Sequence, residues 1–413
     1  MGRVSTAVGL GAAAAAAVGA AAAGVKADRV AADRRRLGVL DPEGGFTHTA
    51  GKELTVVAAD GVQLHVEVDE PAEPDPALPT VVLTHGYTLS LRSWIFQRRA
   101  LVKAGYRVVL WDQRNHGRSE ASDLGQLTME QLADDLRAVI DAAAPEGPVA
   151  LVGHSMGGMT TMALARHHAD LVKERVVAVA LLATAAAGDG ITDLGLGPLV
   201  GRAIGQGAPR LLSRLAPTQR WLSPVRKAGR RVEDAVIDFY GFDSPVSEEL
   251  VRFAADIILA TPFEVMAAFI PVLRDHDEID TLAAFADKDA LVLCGEGDKL
   301  TPLDRSELIA ERLPEAEFVV VRDAGHLIML EHPELVTGQI LALLDRAEAR
   351  SAAAEATART GRGTTGRKTK RTITDIAKGR KVKAARTKAA RTKADSTTAR
   401  PSKTKNGPRK AGS

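Results

Sequence analysis

Six short apolar runs punctuate this chain, with room for a helix between most of them: Thr80–Thr84, Arg107–Trp111, Val149–Val152, Val176–Leu182, Ala290–Cys294 and Glu317–Val321. A strand that is apolar at consecutive positions has no solvent face, so it must be covered on both sides. Alternation of such strands with helical segments predicts the α/β class: a mostly parallel central sheet with helices on both faces. One intervening helix opens on a capping box, Thr128-Met-Glu-Gln131, and runs to about Ala144. Upstream, Glu53–Ala58 and Val62–Val68 are β-rich runs joined through Ala59-Asp60-Gly61, whose Asp-Gly pair signals a hairpin.

No simple crossover needs the 107 residues from Ala183 to Asp289. The first part of this stretch, Gly188–Pro209, is broken by Gly and Pro, whereas Glu248–Ala260 and Phe263–Arg274 have helical periodicity. The reading is a mostly helical cap inserted at about residues 184–280 of a folded body spanning 41–349. A leader (1–40) precedes that body and a tail (350–413) follows it. The net charge of +2 conceals how different these parts are. Residues 350–413 carry 20 Lys and Arg against 3 Asp and Glu, while residues 1–349 carry 34 against 49. The single cysteine, Cys294, excludes an intramolecular disulfide.

The leader contains an uncharged run of 22 residues, Val4–Val25, of which 11 are Ala and 4 are Gly. As a helix it would be about 33 Å long, against a hydrocarbon core of about 30 Å. Length permits a span, but Ala and Gly gain little from lipid. A membrane anchor, a cleaved signal peptide (A-x-A sites occur near Ala21–Ala23) and an Ala-rich leader are three readings of the same residues. Only Arg3 precedes the run, whereas Lys26, Arg29, Arg34, Arg35 and Arg36 follow it. An anchored segment would therefore leave the following domain cytoplasmic, and a cleaved one would leave it exported. The tail is rich in Lys, Arg, Ala and Thr and cannot bury a core, so it is expected to be disordered alone. Its cations suit an anionic membrane surface or the phosphates of nucleic acid, without base readout. A solubilising tail that contacts the acidic body is the plainer alternative.

Gly153-His154-Ser155-Met156-Gly157 fits G-x-S-x-G. The pattern alone is weak; its setting is strong. It follows the apolar run Val149–Val152 and precedes a helical stretch, Gly158–His167, which is the strand–turn–helix context of a nucleophile elbow. The turn brings helix and strand too close for Cβ atoms at Gly153 and Gly157. A serine hydroxyl needs a base, and the base needs an orienting acid. In chain order these are Asp298, in Gly295-Glu-Gly-Asp298, and His326, in Asp323-Ala-Gly-His326, each just past a strand end. Glu296 and Asp189 are the alternative acids. His332 is the alternative base, although its place before Pro333 suits a helix entry. The backbone amides of Met156 and Tyr87 are the candidate oxyanion donors, Tyr87 following His85-Gly86 at the end of Thr80–Thr84. His85 itself reads as structural. The ten histidines show no metal-ligand spacing, and no G-x-G-x-x-G or P-loop opens a βαβ unit.

Together, His85-Gly86, Asp112-Gln-Arg-Asn-His-Gly-Arg-Ser119, Gly153-His-Ser-Met-Gly-Gly158, Gly295-Glu-Gly-Asp298 and Gly325-His326 resemble the α/β-hydrolase superfamily over about Lys52–Ala347. The elbow resembles that of monoacylglycerol lipases and related carboxylesterases. Asp112–Ser119 is similar to a loop that is usually structural in the family, but has Asn115 where Gly is common. The resemblance implies an α/β-hydrolase fold and hydrolysis of small or lipid esters through an acyl-serine intermediate, without metal or cofactor. Epoxide hydrolases and haloalkane dehalogenases resemble this fold but carry Asp where this chain has Ser155. Thioesterases, perhydrolases and C–C bond hydrolases share the triad and stay open. A non-catalytic module recruited by the basic tail is the reading from a different class.

Overall fold

The computed structural model describes residues 45–188 and 234–360. The Val4–Val25 segment, Asp189, the Gly/Pro-broken start of the insertion and the tail from 361 onward lie outside the described residues.

Eight strands form one sheet: β1 (Lys52–Val57), β2 (Gln63–Asp69), β3 (Thr80–Thr84), β4 (Val108–Trp111), β5 (Val149–His154), β6 (Val176–Leu182), β7 (Asp289–Gly295) and β8 (Glu317–Val321). Their order is β1-β2-β4-β3-β5-β6-β7-β8. The β1–β2 hairpin is antiparallel and joins β4 antiparallel; β4, β3, β5, β6, β7 and β8 are mutually parallel. Three of the expected strands have the expected limits, and the others shift by one or two residues. The fold class read from the alternating apolar runs is the one observed.

The face on which side chains are buried alternates with the two-residue period of a strand. Val149 and Leu151 belong to a core with Leu132, Leu136 and Ile140 of α2 (Met129–Ala143) and Met159 and Met162 of α3 (Met156–His167). Their neighbours Ala150 and Val152 are buried as well but lie outside that core. On this second side, α1 (Ile95–Lys103) packs against the long C-terminal helix, which also covers β6 and β7. A strand apolar at every position is thus explained by cover on both faces. The capping box of α2 forms as expected: the Thr128 hydroxyl accepts from Gln131 N, and the Gln131 side chain accepts from Thr128 N, both at 3.2 Å.

Chain order and sheet order part company at β3. From there β4 lies to one side and β5 to the other. The loops leaving β3 and β5 separate at such a switch point, and a crevice opens beyond their C-terminal ends. A short helix, α4 (Ala169–Arg175), completes the crossover from α3 to β6. The described part of the insertion between β6 and β7 is helical: residues 234–241, α5 (Glu248–Ile258) and α6 (Phe263–Arg274). Its neck is closed by backbone bonds. Gly188 N donates to His276 O and Glu278 N to Ala186 O, each at 2.7 Å.

After β7, α7 (Leu303–Arg312) leads to β8. A single turn, α8 (Ile328–Glu331), and α9 (Pro333–Thr360) end the described chain. Here the expected boundary needs correcting: α9 does not stop at Ala349 but continues through the first eleven residues assigned to the tail. Ser351-Ala-Ala-Ala-Glu-Ala lacks apolar periodicity, yet alanine has the highest intrinsic helix propensity. Among the described residues no single helix is long and apolar enough to cross a membrane. Asn115 departs from the family's glycine without strain. Its φ is 65°, a region Asn tolerates, and its amide brackets Ser122 through two bonds of 2.8 Å.

Candidate active site

Ser155 sits on the step between β5 and α3 with φ 52° and ψ −121°, a conformation costly for any residue with a Cβ. Packing leaves the chain no other path. A Cβ on Gly153 would meet Gly157 O at 2.4 Å, and one on Gly157 would meet Thr84 O at 2.2 Å. The turn is then tied down by its own backbone. Ser155 N donates to Leu182 O (2.9 Å), while Ser155 O accepts from Gly158 N (2.8 Å) and Thr184 Oγ1 (2.7 Å).

The expected partners converge on this serine from two other strand ends. His326 Nε2 lies 3.0 Å from Ser155 Oγ, and His326 Nδ1 lies 2.9 Å from Asp298 Oδ2 and 3.1 Å from Oδ1. Asp298 is buried and also accepts from Leu300 N (2.8 Å), Thr301 N (2.9 Å) and Thr301 Oγ1 (2.8 Å). Burial pushes its carboxyl up, but His326 and the Thr301 donors outweigh burial and hold it below the usual carboxylate range. A carboxylate on Nδ1 leaves the Nε2 lone pair facing the serine hydroxyl. Of the alternatives, Glu296 is solvent-exposed and approaches Arg322 at 3.9 Å. His332 donates from Nε2 to Asp323 O at 2.9 Å, so it supports the histidine loop rather than facing the serine.

Sequence reasoning missed three further supports of that loop. His154 Nε2 donates to His326 O at 2.8 Å. Burial pushes His154 down to about 3, so it stays neutral and keeps the donor. The Glu331 carboxylate accepts from Gly325 N (2.6 Å) and Asp243 N (2.9 Å), and from Ser244 N. It thereby joins the His326 loop to the exit of the 234–241 helical stretch. Thr301 is the third. Two carry no local signal: His154 is the variable position of its motif, and Glu331 meets Asp243 across 88 residues. Thr301, three residues after Asp298, is the one whose place in the sequence could have shown it.

On the other flank, Gly86 presses against the elbow; a Cβ there would fall 3.1 Å from Ser155 Cβ. His85 braces this loop, as read. Its Nδ1 donates to Gly86 O (2.8 Å), and its Nε2 accepts from Gln113 N (3.0 Å). Burial drives His85 down to about 3, which keeps the accepting nitrogen unprotonated. The side chain of Tyr87 reaches the insertion, donating its hydroxyl to Met266 O of α6 at 2.6 Å. The only described group with metal-ligand proximity, Glu53, His65 and Glu67, is already engaged by Arg118 and Arg98.

A family model described as the alpha/beta hydrolase fold matches residues 79–333, and the chain belongs to that family. It is 29% identical over 264 residues to the dihydrolipoyllysine-residue acetyltransferase component of acetoin cleaving system of Pseudomonas putida, covering 64% of this chain and 63% of that one. It is 36% identical over 135 residues to epoxide hydrolase B of Mycobacterium tuberculosis, covering 32% of this chain and 36% of that one. Both matches thus span under two thirds of the relative's length. Among solved structures, a thermophilic esterase from Thermogutta terrifontis superposes with a TM-score of 0.53 at 27% identity, over 72% of this chain and all of that one.

Proposed function

We propose that this chain is a serine hydrolase that cleaves carboxylic esters of small or lipid acyl groups through an acyl-serine intermediate. The observation that carries the reading is the unbroken relay Ser155 Oγ, His326 Nε2, His326 Nδ1, Asp298, with steps of 3.0 and 2.9 Å. His326 takes the hydroxyl proton as Ser155 Oγ attacks the ester carbonyl. Asp298 stabilises the imidazolium so formed and keeps it oriented. The amides of Met156 and Tyr87 receive the developing oxyanion. As the tetrahedral adduct collapses, the C–O bond to the alcohol breaks and His326 returns the proton to the leaving oxygen. Water then repeats the sequence on the acyl-serine and regenerates the enzyme.

The likeness to an esterase supports this reading. A serine at the elbow, where a carboxylate would be required to open an epoxide by direct attack, argues against the epoxide chemistry named for the other relative. The test is a fluorophosphonate probe with mass mapping of the adduct, run alongside p-nitrophenyl esters of graded chain length. One adduct on Ser155 and turnover of at least one ester are expected, with both lost in Ser155→Ala. Labelling of Ser155→Ala at the wild-type level overturns the assignment.

A further inference from the structure

We propose that His116, in the Asp112–Ser119 loop after β4, is a positioning residue for this reaction: it holds the peptide that follows Tyr87 so that the Tyr87 amide faces the oxyanion. The proposal rests on the ester-hydrolase reading above. Two peptide planes orient the Tyr87 N–H. In the first, Gly86 O accepts from His85 Nδ1 (2.8 Å) and Leu89 N (3.1 Å). A trans peptide points its N–H opposite to its C=O, so the Tyr87 N–H is aimed away from those donors. In the second, Tyr87 O accepts from Thr88 Oγ1 (2.7 Å), and Thr88 N donates to His116 Nε2 (3.2 Å).

That second plane needs outside support. Thr88 has φ 61°, an outlier conformation for a β-branched residue. His116 is built to give it. Its Nδ1 donates to Arg114 O at 3.0 Å, which leaves Nε2 as the acceptor. The ring is buried between His85, Tyr87 and Phe269 of α6, with centroids at 5.5, 6.4 and 5.1 Å. Without an acceptor at this point, a half-buried N–H is left unpaired and the strained turn is free to relax. A displacement of about 1 Å at a reacting group costs about 100-fold in rate.

The test compares wild type with His116→Leu, which keeps bulk without an acceptor, and His116→Gln, which restores one. Assays use p-nitrophenyl butyrate and an alkyl trifluoromethyl ketone, whose serine adduct places an oxyanion in the hole. In His116→Leu we expect kcat to fall about 10- to 100-fold, with KM within about twofold. Ketone affinity should fall in step with kcat, the pH midpoint of activity should not move, and His116→Gln should recover most of the loss. A folded His116→Leu with wild-type kcat overturns the proposal, as does a kcat loss that ketone affinity does not follow. Should His116→Leu fail to fold, His116→Gln and the wild type decide. In ¹⁵N-histidine-labelled wild type, His116 should carry its proton on Nδ1, and a proton on Nε2 overturns the proposal. A wild type that turns over no ester overturns the hydrolase reading and this proposal together; an active wild type with an indifferent His116 overturns only the latter.

Discussion

The turn carrying Ser155 and the loop carrying His326 lie against each other, and they are held by different means. The serine turn is shaped by steric exclusion: a Cβ at Gly153 would overlap the turn's own backbone at Gly157, and one at Gly157 would overlap the backbone of Thr84 and His85 at the neighbouring strand end. The histidine loop is shaped by polar side chains drawn from distant segments: His154 on His326 O, Glu331 on Gly325 N and His332 on Asp323 O. Steric shaping marks its positions with glycines inside one short motif, even where the clash avoided is with a distant strand end, and tolerates no substitution. Polar shaping is spread over the chain and can be weakened one bond at a time.

Substitutions should bring out this contrast. Asp298→Asn is expected to lower kcat by about 10⁴-fold with the fold intact, because an amide favours the wrong imidazole tautomer. Near-wild-type turnover in stopped-flow ester hydrolysis would mean that another acid serves His326. In Gly157→Ala the added methyl meets Thr84 O at 2.2 Å and His85 O at 2.7 Å, both backbone atoms, so no flexible side chain can give way. Overpacking of this kind costs about 1–3 kcal/mol or more, so this variant should be recovered with a clearly lowered melting temperature or not at all. A normal melting curve would show that the elbow can widen. Glu331→Gln removes charge-assisted acceptance from three amides while keeping shape. Its expected loss is about tenfold in kcat, with a smaller change in stability than for Gly157→Ala. Equal losses in the two variants would erase the distinction between steric and polar shaping.

Acid should destabilise the folded chain through its buried histidines. Burial pushes His85 and His154 down to about 3, and His116 and His276 down to about 4. The unfolded chain protonates these side chains from about pH 6.5 downward, whereas the folded chain does not until pH 3–4. The unfolded state therefore binds more protons in that window, and stability falls as pH falls through it. The slope approaches about 1.4 kcal/mol per pH unit for each such histidine. Urea unfolding at pH 7.5, 6 and 5 measures it; a flat profile would mean that the folded chain takes up protons on these rings as readily as the unfolded chain does.

The smallest effect concerns the ends of the chain. We propose that Val4–Val25 and the basic tail hold the enzyme at the cytoplasmic face of an anionic membrane, each engaged cation contributing about 1 kcal/mol. Deleting residues 361–413 should lower the membrane-pelleted fraction at low salt and have little effect at high salt. Release of the full-length protein by nuclease alone would assign the tail to nucleic acid instead.

The same contrast explains what could be read in the letters. Strands apolar at every position gave away the parallel sheet, and the glycines flanking Ser155 gave away the elbow, because in each case the pattern lies within a few residues. Asp298 and His326 were legible through chain order and their places just after strand ends. Glu331 and His154 were not, because their partners are fixed by how β5, β8 and the insertion meet. The helical start of the tail was hidden for a different reason: alanine extends a helix without leaving a periodic trace.

The bond from the Tyr87 hydroxyl to Met266 O makes the inner turn of α6 a shared possession of the insertion and the catalytic half. Thr261 Oγ1, donating to Thr88 O at 3.3 Å, belongs to the same seam. A chimera that takes its whole insertion from a related hydrolase would inherit a foreign brace for the Tyr87 loop together with foreign insertion helices. Its rate would drop along with its selectivity. A junction placed on the N-terminal side of Thr261 separates the two inheritances, leaving the residues before it open to variation in acyl preference while the seam stays native.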